Sequence, residues 1–566
     1  MRSPTKKQAI YLIIPALIYF IIFAFYPMVE NIILTFQQEN VYTGALKYVG
    51  FKNYSALFTT PYIAQIFENT LIYTIFVPIF DILLSIPLAS FMKRLNKPYI
   101  LPLVLLSSLI PLVTAAVIWS FMLNPFYGIL YYIDKVNLFS NTWMIVIIDI
   151  WTSLPLSTLI IYSGLRSIPP SIEEASQMDG IIGARKLFTI DLPYVKSSIL
   201  SATVLMILYG SFTFDPIYVV SSYAAPFAIT DLSYYSYQLF FSNDVGFAAV
   251  LMTIMTGIST GIALLFVRLT LWEGRKNGSQ IFKFMPNREM PRYMAWIFTI
   301  LYMVFFLFPF LWLILESLKS NPEIVAIPPI IIPYLITFAH YTFSLLTGEP
   351  FFITSLMVSL GTSVLVLLLG APAAYATSRY KIGGLKFIGL VLFIYSLPTV
   401  IFMIPVHNIV NSIGMMNSWF GLIISYPVFV MPLTIWMLYN FYSNFPKHID
   451  EAANMDGMNV FKTFYSIILR LSGDGISVTL LYSFILAWGA LIFPLALTYT
   501  PFNMSLLHPS GAQTATIFVG STIGHEAFNY GALSAASVIS IVPSLLLIYL
   551  ARKRIEKLWR VGGNVN

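Results

Sequence analysis

The sequence predicts an all-α, polytopic membrane protein of about twelve transmembrane helices, arranged as two six-helix halves related by a pseudo-twofold repeat. The 566 residues are 58% hydrophobic and only 10% charged, and the mean hydropathy is +0.81. The apolar stretches reach the roughly 20 residues that a helix needs to cross a bilayer. A motif in the first half of the chain also returns in the second. The composition excludes a soluble globular domain.

Two polar loops between apolar stretches carry the repeated motif. The first loop reads EASQMDG over Glu174–Gly180 and continues to Ile190–Pro193. The second loop reads EAANMDG over Glu451–Gly457 and continues to Ile467–Leu469. Glu, Ala, Met, Asp, Gly, Ile and Leu recur in register at a constant separation of 277 positions. We interpret the chain as a tandem duplication and the two loops as equivalent functional parts.

Each loop is predicted to contain a short helix. In the first loop, Ser171-x-x-Glu174 follows a pair of prolines and matches a capping box, the pattern that starts a helix. Gly180 and Gly457 are placed to end the short helices in a left-handed turn. An ordinary solvated loop with one helical turn is the alternative, and it would have to arise twice.

Twelve apolar stretches are predicted as membrane spans, numbered here from one to twelve. Spans one to six are residues 8–28, 68–92, 100–122, 143–163, 197–220 and 247–269. Spans seven to twelve are residues 293–317, 353–377, 385–407, 419–440, 473–497 and 531–551. The domains predicted from them are residues 1–270, with its loop at 168–195, and residues 293–566, with its loop at 445–471. A linker at 271–292, too polar to span a membrane, joins the two.

Basic residues set the predicted orientation, because Lys and Arg concentrate on the cytoplasmic side of membrane proteins. Five groups fall on one side of the twelve-span arrangement: Lys6 and Lys7; Lys93, Arg94 and Lys97; Arg268 to Arg292; Arg379, Lys381 and Lys386; and Arg552 to Arg560. The protein is therefore predicted to lie in the cell membrane with both termini and both loops in the cytoplasm. The net charge of +7 belongs to these flanks and does not indicate nucleic-acid binding.

The sequence offers no catalytic or metal-binding constellation. It has no Cys, which excludes disulfides and thiolate metal sites. It has no Gly-Lys dipeptide and so no Walker-A phosphate loop, and its five histidines lack metal-ligand spacing. Asp81 and Asp149 fall inside spans, where ionisable groups are costly and often functional. For Asp149, a role in helix packing is at least as good an interpretation as contact with cargo.

Matching interruptions in spans five and eleven indicate a transport path. Span five contains Gly210 and Pro216, and span eleven contains Gly489 and Pro494, at nearly equivalent places in the repeat. Such interruptions in two halves point to a binding site, since freed backbone groups need protein partners or a wet cavity. The side chains predicted to line the path are Tyr209, Ser211, Phe212, Thr213 and Trp488. Hydroxyls beside rings suit a sugar, although aromatic residues in membrane proteins also pack and form interfacial belts.

The two loops resemble the EAA loop of ATP-binding-cassette (ABC) importer permeases. Ser176 replaces the second Ala in the first loop, and Arg470 replaces the closing Pro in the second. Other stretches resemble the carbohydrate-uptake permeases of the maltose type. The first permease partner is matched at Val49–Tyr54, Trp151–Leu156, Gly164–Pro169 and Phe214–Val220, and the second at Glu316–Lys319, Ala373–Tyr380 and Tyr530–Ala536.

The resemblance implies a permease subunit for a sugar or oligosaccharide that is not itself an enzyme. Two cytoplasmic ATPase subunits would bind ATP and Mg²⁺ and drive alternating access, and an external solute-binding protein would deliver the cargo. No cofactor is expected in this chain. The implied coupling residues are Glu174, Ala175, Asp179, Gly180, Glu451, Ala452, Asp456 and Gly457.

Three alternatives to a sugar importer remain open at this stage. The cargo of an ABC importer could be another small solute, such as a glycerol phosphate. A secondary transporter driven by an ion gradient would explain the spans and the duplication but not the two loops. A membrane-embedded transferase would need clustered carboxylates or a metal site.

Overall fold

The structure is a computed structural model that describes residues 6–39, 45–97, 100–132, 138–211, 213–222, 224–272, 288, 291–503, 511–521 and 530–561. These residues are predominantly helical, as predicted. A helix satisfies its own backbone hydrogen bonds, which a chain surrounded by lipid requires. Within the described residues, one two-stranded antiparallel ribbon pairs β1 (Gln37–Glu39) with β2 (Leu46–Tyr48).

The helices of the N-terminal half (residues 6–272) begin with two that are joined by a π-helical turn at Ile21–Phe25. In chain order they are α1 (Lys6–Phe20), α2 (Tyr26–Leu34), α3 (Lys52–Thr59), α4 (Ile63–Leu95), α5 (Ile100–Leu105), α6 (Leu112–Met122), α7 (Thr142–Arg166), α8 (Pro170–Met178), α9 (Gly183–Lys186), α10 (Leu192–Tyr194), α11 (Lys196–Ser211), α12 (Asp215–Val220), α13 (Leu232–Phe241) and α14 (Val245–Trp272).

The helices of the C-terminal half (residues 291–561) include the longest of the described chain, α17. In chain order they are α15 (Arg292–Leu318), α16 (Asn321–Ile324), α17 (Ala339–Tyr380), α18 (Gly384–Tyr395), α19 (Met403–Ser412), α20 (Trp419–Ser425), α21 (Pro427–Ser443), α22 (His448–Met455), α23 (Val460–Thr463), α24 (Leu469–Leu471), α25 (Gly473–Trp488), α26 (Ile492–Leu497), α27 (Ala515–Ser521) and α28 (Tyr530–Val561). The linker predicted at 271–292 lies largely outside the described residues.

Eight described helical segments are long and apolar enough to cross a membrane, and the number rises to 11 if each of three bent helix pairs is one span. The predicted span at 100–122 is not a continuous helix. It consists of α5, a 3₁₀ turn at Ser107–Leu109 and the 11-residue α6. Pro111 causes the interruption, because its extended ψ of 135° precedes α6 and proline has no N–H to continue a helix. Since nearly all of α6 is buried, this helix packs in the interior of the protein.

The duplication extends to the secondary structure around the two loops. Helices α8 to α12 have counterparts in α22 to α26, and from α9 onward each helix begins and ends 277 residues before its counterpart. Even a π-helical turn is repeated, at Leu187–Asp191 and Phe464–Ile468. The exit of the second loop, α24, matches α10 although Arg470 replaces Pro193. The missing proline therefore leaves the shape of the exit unchanged.

The first span of each half packs against the other half. Helix α1 lies against α17, and the Tyr19 hydroxyl donates to the carbonyl oxygen of Ile424 at 2.9 Å. Helix α15 lies against α4 and α6. Within α15, Pro309 leaves the carbonyl of Phe305 without its helical donor, and the indole Nε1–H of Trp151 in α7 donates to that oxygen at 3.1 Å. The two halves are thus joined by exchanged helices.

Candidate coupling loops and transport path

The helix of the first loop begins two residues earlier than the capping-box pattern predicts. Pro169 is the N-cap and Pro170 the first helical residue, with no side-chain cap. The predicted capping box at Ser171 and Glu174 is therefore wrong. Proline at the first helical position already has a suitable φ and no N–H to satisfy, so the helix starts there and Ser171 falls inside its first turn.

Both loop helices end as predicted, in a left-handed glycine. Gly180 has φ +63° and Gly457 has φ +75°. In the first loop the N–H groups of Gly180 and Ile181 donate to the carbonyls of Gln177 and Ser176, at 3.0 and 2.8 Å. The second loop repeats both bonds at the equivalent residues, each at 3.0 Å. This pair of bonds is the Schellman motif, which fixes the direction in which the chain leaves each helix.

The predicted coupling residues share one exposed surface in each loop. Glu174, Ala175 and Asp179 are exposed, as are Glu451, Ala452 and Asp456. The residue at the third position of each EAA motif is instead buried: Ser176 in the first loop and Ala453 in the second. A small side chain at this position allows each loop helix to pack closely against the rest of the protein.

Two methionines that were not among the predicted coupling residues complete these surfaces. Met178 is 88% exposed and Met455 is 80% exposed, and they occupy equivalent positions at the ends of α8 and α22. Methionine is flexible and polarisable, which suits a side chain that enters a groove on another protein. Their recurrence in the repeated motif was the signal that could have identified them.

An ion pair ties the first loop to the end of span two. Glu173, the residue before the motif glutamate, pairs with Lys93 in the last turn of α4. Lys186 lies 3.9 Å from Glu173 and 3.5 Å from Asp191. Partial burial opposes ionisation of Glu173, but the hydrogen bond and charge of Lys93, together with Lys186, hold its pKa below the ordinary value. Burial raises the pKa of Asp191 despite the Lys186 charge.

The second loop has an equivalent and more enclosed anchor. Asp450 occupies the position of Glu173, and its Oδ2 lies 3.1 Å from Nε of Arg379 in the last turn of α17. The Tyr375 hydroxyl donates to Asp450 Oδ1 at 2.6 Å, and Arg379 Nη2 donates to the carbonyl of Phe445 at 2.6 Å. The helix dipole also favours a positively charged side chain, here that of Arg379, near the C-terminus of a helix. Both loops are therefore held by the second span of their own half.

Spans five and eleven are broken at equivalent places, as the interruptions predict. Helix α11 ends at Ser211 and α12 begins at Asp215, while α25 ends at Trp488 and α26 begins at Ile492. The glycines differ in their surroundings. A Cβ on Gly210 would lie 2.6 Å from the carbonyl oxygen of Tyr73 in α4, whereas a Cβ on Gly489 would have no neighbour closer than 3.5 Å. Gly210 thus permits α11 to approach α4 closely.

The predicted path hydroxyls of span five are bonded to the protein. The Tyr209 hydroxyl lies 2.9 Å from Oγ1 of Thr152, and Oγ1 of Thr213 donates to Oδ2 of Asp149 at 2.6 Å. Ser211 Oγ donates to the carbonyl of Ile207 in its own helix. Phe212, the fourth predicted residue of this span, lies outside the described residues. The hydroxyls of Tyr209 and Thr213 thus join the break to α7.

Trp488 in span eleven is also enclosed. Its indole Nε1–H donates to the carbonyl of Ser540 in α28 at 2.9 Å, and its ring stacks on Phe484 with centroids 5.6 Å apart. In this conformation the ring therefore supports the packing of α25 against α28.

The two acids within spans bind hydroxyl groups. Asp81 accepts hydrogen bonds from Ser85 at 3.2 Å and from Ser153 and Ser157 of α7, and Asp149 accepts one from Thr213. These contacts favour the helix-packing interpretation of Asp149, and they show that Asp81 joins α4 to α7. Among the described residues, no group of His, Cys, Asp or Glu is arranged to hold a metal ion.

The known proteins to which this chain is similar include several permeases of transport systems. Residues 366–561 match the family described as binding-protein-dependent transport system inner membrane component. The trehalose transport system permease protein SugB of Mycobacterium tuberculosis is 31% identical over 255 residues, which cover 44% of this chain and 89% of that protein. The diacetylchitobiose uptake system permease protein NgcG of Streptomyces coelicolor is 29% identical over 270 residues, covering 47% and 85%.

A third relative has the same relation to the chain. The trehalose/maltose transport system permease protein MalG of Thermococcus litoralis is 30% identical over 276 residues, covering 48% of this chain and 96% of that protein. Each relative is matched over most of its length yet accounts for just under half of this chain, which is consistent with a tandem fusion of two permease-length units. The chain belongs to the family of binding-protein-dependent transport system inner membrane components, the ABC importer permeases.

Proposed function

We propose that this chain is the permease of an ABC importer for a sugar or oligosaccharide, and that α8 and α22 couple it to two cytoplasmic ATPase subunits. The observation that carries the coupling proposal is the pair of exposed helices. They are closed by the same Schellman motif, occupy equivalent positions, and are each anchored by an ion pair to the second span of their half.

The proposed topology has twelve spans, with both termini and both loops in the cytoplasm. Eight of the twelve predicted spans overlap the eight long helical segments, and three more overlap the three bent pairs. Helices α5 and α6 together would supply the twelfth. The ion pairs support the orientation, because Lys93 and Arg379 at the ends of spans two and eight lie beside the loops. Residues 271–292 would then join two units of the same orientation.

The coupling surface would work as a lever. Glu174, Ala175, Met178 and Asp179, with their counterparts in α22, would dock on the ATPase subunits, where ATP and Mg²⁺ bind. The ion pairs would carry the motion of each docked helix to α4 and α17. ATP would change the balance between the inward and outward states of the permease only by as much as it stabilises one state more than the other.

The proposed cargo path runs beside the two broken spans. Tyr209, Ser211 and Thr213 at the first break, and Trp488 at the second, would line it once the helices move apart. Phe212, from sequence, belongs to the same proposal. The names of the three relatives described above include trehalose, diacetylchitobiose and maltose.

The charges of the two spans favour a neutral cargo over a glycerol phosphate. Residues 197–220 and 473–497 contain Asp215 and Asp474 but no Lys or Arg. A phosphate buried in a membrane path requires a compensating cation. A path lined by these spans alone would therefore disfavour a phosphorylated solute.

The test is uptake by proteoliposomes that contain the tagged chain and the ATPase subunits that co-purify with it from its host. With its solute-binding protein present, the complex should accumulate labelled trehalose or a related sugar when ATP is supplied on the loop side, and dissipating ion gradients should have no effect. Uptake that stops with an ionophore and ignores ATP would instead identify a secondary transporter.

A further inference from the structure

A group of aromatic rings lies beyond the break of span five, at the end far from the loops. We call Phe214, Tyr218, Tyr234 and Tyr237 the outer ring cluster. The ring centroids of Phe214 and Tyr237 are 5.2 Å apart, and Tyr237 is 6.0 Å from both Tyr218 and Tyr234. Phe214 is the last residue of the break, Tyr218 lies on α12, and the other two rings lie on α13. The cluster thus continues the line of span five outward.

The outer ring cluster faces the C-terminal half. A Cβ on Gly520 of α27 would lie 3.2 Å from Cε1 of Tyr218, so the ring rests against the backbone of that helix. Next along α13, the ring of Phe240 meets His407 of α19 edge to face, with centroids 5.3 Å apart. A ligand that passes between the two halves toward the breaks would therefore pass these rings.

The hydroxyl groups of the cluster differ in their partners. Tyr234 is buried, and its hydroxyl accepts a hydrogen bond from Ser221 Oγ at 2.8 Å. Tyr218 and Tyr237 are half-buried, and within the described part of the chain their hydroxyls have no hydrogen-bond partner. Neither hydroxyl oxygen is fully enclosed by the described residues, so both are open to water or to a ligand. The hydroxyls at the break, by contrast, are bonded to α7.

We propose that the outer ring cluster is a sugar-binding subsite, which cargo occupies before it reaches the break of span five. The ring faces would cover the apolar face of a pyranose, and the Tyr218 and Tyr237 hydroxyls would exchange hydrogen bonds with its hydroxyl groups. The proposal rests on the proposed sugar-import function. It adds a subsite whose three tyrosines lie outside both the loops and the breaks.

The test compares three substitutions that each remove one hydroxyl and keep the ring. Tyr218→Phe and Tyr237→Phe should each raise the trehalose concentration for half-maximal ATP-driven uptake by about three- to tenfold, and the double variant by more. Tyr235→Phe is the matched control, because Tyr235 lies on the same helix but outside the cluster, with its ring against Phe227 and Phe247. It should leave that concentration within twofold of the wild type. Co-purification of the ATPase subunits and the melting temperature report whether each variant is folded.

The outcomes separate the subsite from the importer function. If the wild type takes up trehalose, maltose and diacetylchitobiose without dependence on ATP, or takes up none of them, both proposals fail. If wild-type uptake is ATP-driven and the double variant keeps the wild-type half-saturating concentration, only the subsite is overturned. An equal effect of Tyr235→Phe would also overturn it, because it would show that the loss does not depend on the hydroxyl groups of the cluster.

Discussion

Oδ2 of Asp450 lies 3.1 Å from Nε of Arg379, and this pair holds the second loop to the end of span eight. Glu173 and Lys93 form the corresponding pair in the first half. The Arg379 and Asp450 side chains are 7% and 14% exposed, whereas those of Lys93 and Glu173 are about a quarter and a third exposed. Because solvent screens the pair of Glu173 and Lys93 more, this anchor should be weaker than that of Asp450 and Arg379.

Removing the charge of Asp450 should therefore uncouple the permease more than removing that of Glu173. Breaking an enclosed ion pair costs about 3–5 kcal/mol, whereas an exposed pair contributes at most about 1 kcal/mol. We expect Asp450→Asn to raise the ATP hydrolysed per sugar imported by tenfold or more, and Glu173→Gln by less than threefold. The reversed pair, Asp450→Arg with Arg379→Asp, should recover part of the loss. Equal effects of the two single variants would contradict the proposed asymmetry.

Met178 and Met455 should contribute directly to ATPase docking. Burying a methionine side chain is worth about 1.5–3 kcal/mol, so Met178→Ala or Met455→Ala should weaken binding of the ATPase subunits by about tenfold or more. Glu174→Ala should act in the same direction through a lost polar contact. The measurement is ATPase affinity for the permease in nanodiscs. Met415→Ala, at a partly exposed methionine outside both loops, serves as the control. Unchanged affinity in both loop variants would remove the methionines from the interface.

Gly210 and Gly489 should differ in their tolerance of alanine. A Cβ on Gly210 meets the Tyr73 carbonyl, and overpacking of this kind costs about 1–3 kcal/mol. Gly489 has room for a methyl group and a φ of −83° that any residue adopts. Gly210→Ala should lower the melting temperature of the purified protein, while Gly489→Ala should leave it unchanged or raise it. The reverse order would show that the close approach of α11 and α4 is not required.

Thr213→Val should affect stability more than Tyr209→Phe does. The valine leaves the buried carboxylate of Asp149 without its donor, at a cost of about 1–3 kcal/mol. Tyr209→Phe removes a neutral hydrogen bond to Thr152, worth about 0.5–1.5 kcal/mol. If cargo also meets these hydroxyls, both variants should transport sugar about tenfold less well. Ser483→Ala in span eleven, which breaks a bond to Thr434, is the matched control. Similar small effects on uptake at all three positions would place the path elsewhere.

Cysteine labelling should establish the orientation. The natural sequence has no Cys, and Ser55 and Ser171 are both exposed. In intact cells, a membrane-impermeant maleimide should label Ser55→Cys from outside but reach Ser171→Cys only after permeabilisation. Full labelling of both variants in detergent is the control. External labelling of Ser171→Cys would reverse the proposed topology.

Features that depend on one stretch of sequence were predictable. The left-handed conformation at the ends of the loop helices was predictable because few residue types other than glycine adopt it readily. A glycine stands at this position in both copies of the motif. The broken spans follow from Gly and Pro in the same way. The capping box failed because a neighbouring residue, Pro170, satisfied the start of the helix first.

Features that depend on packing between distant residues were not predictable. Lys93 and Glu173 lie in different elements, and no pattern in either one identifies the other as its partner. The hydroxyls of Tyr209 and Thr213 were expected to face cargo, but their bonding partners belong to α7 and follow from how the helices pack. Residues 100–122 were predicted as one continuous helix because they are apolar throughout, and the burial of α6 follows from how the helices pack.

The exchange of first helices has a consequence for how the protein is made. Tyr19 in α1 bonds to the carbonyl of Ile424, a residue 405 positions later in the chain. At about 5–20 residues per second, translation reaches that partner roughly 20–80 seconds after the first helix has left the ribosome. The helix must wait in the bilayer without its final neighbour for that time. Joining both halves in one polypeptide ensures that the neighbour arrives from the same ribosome and always in equal number.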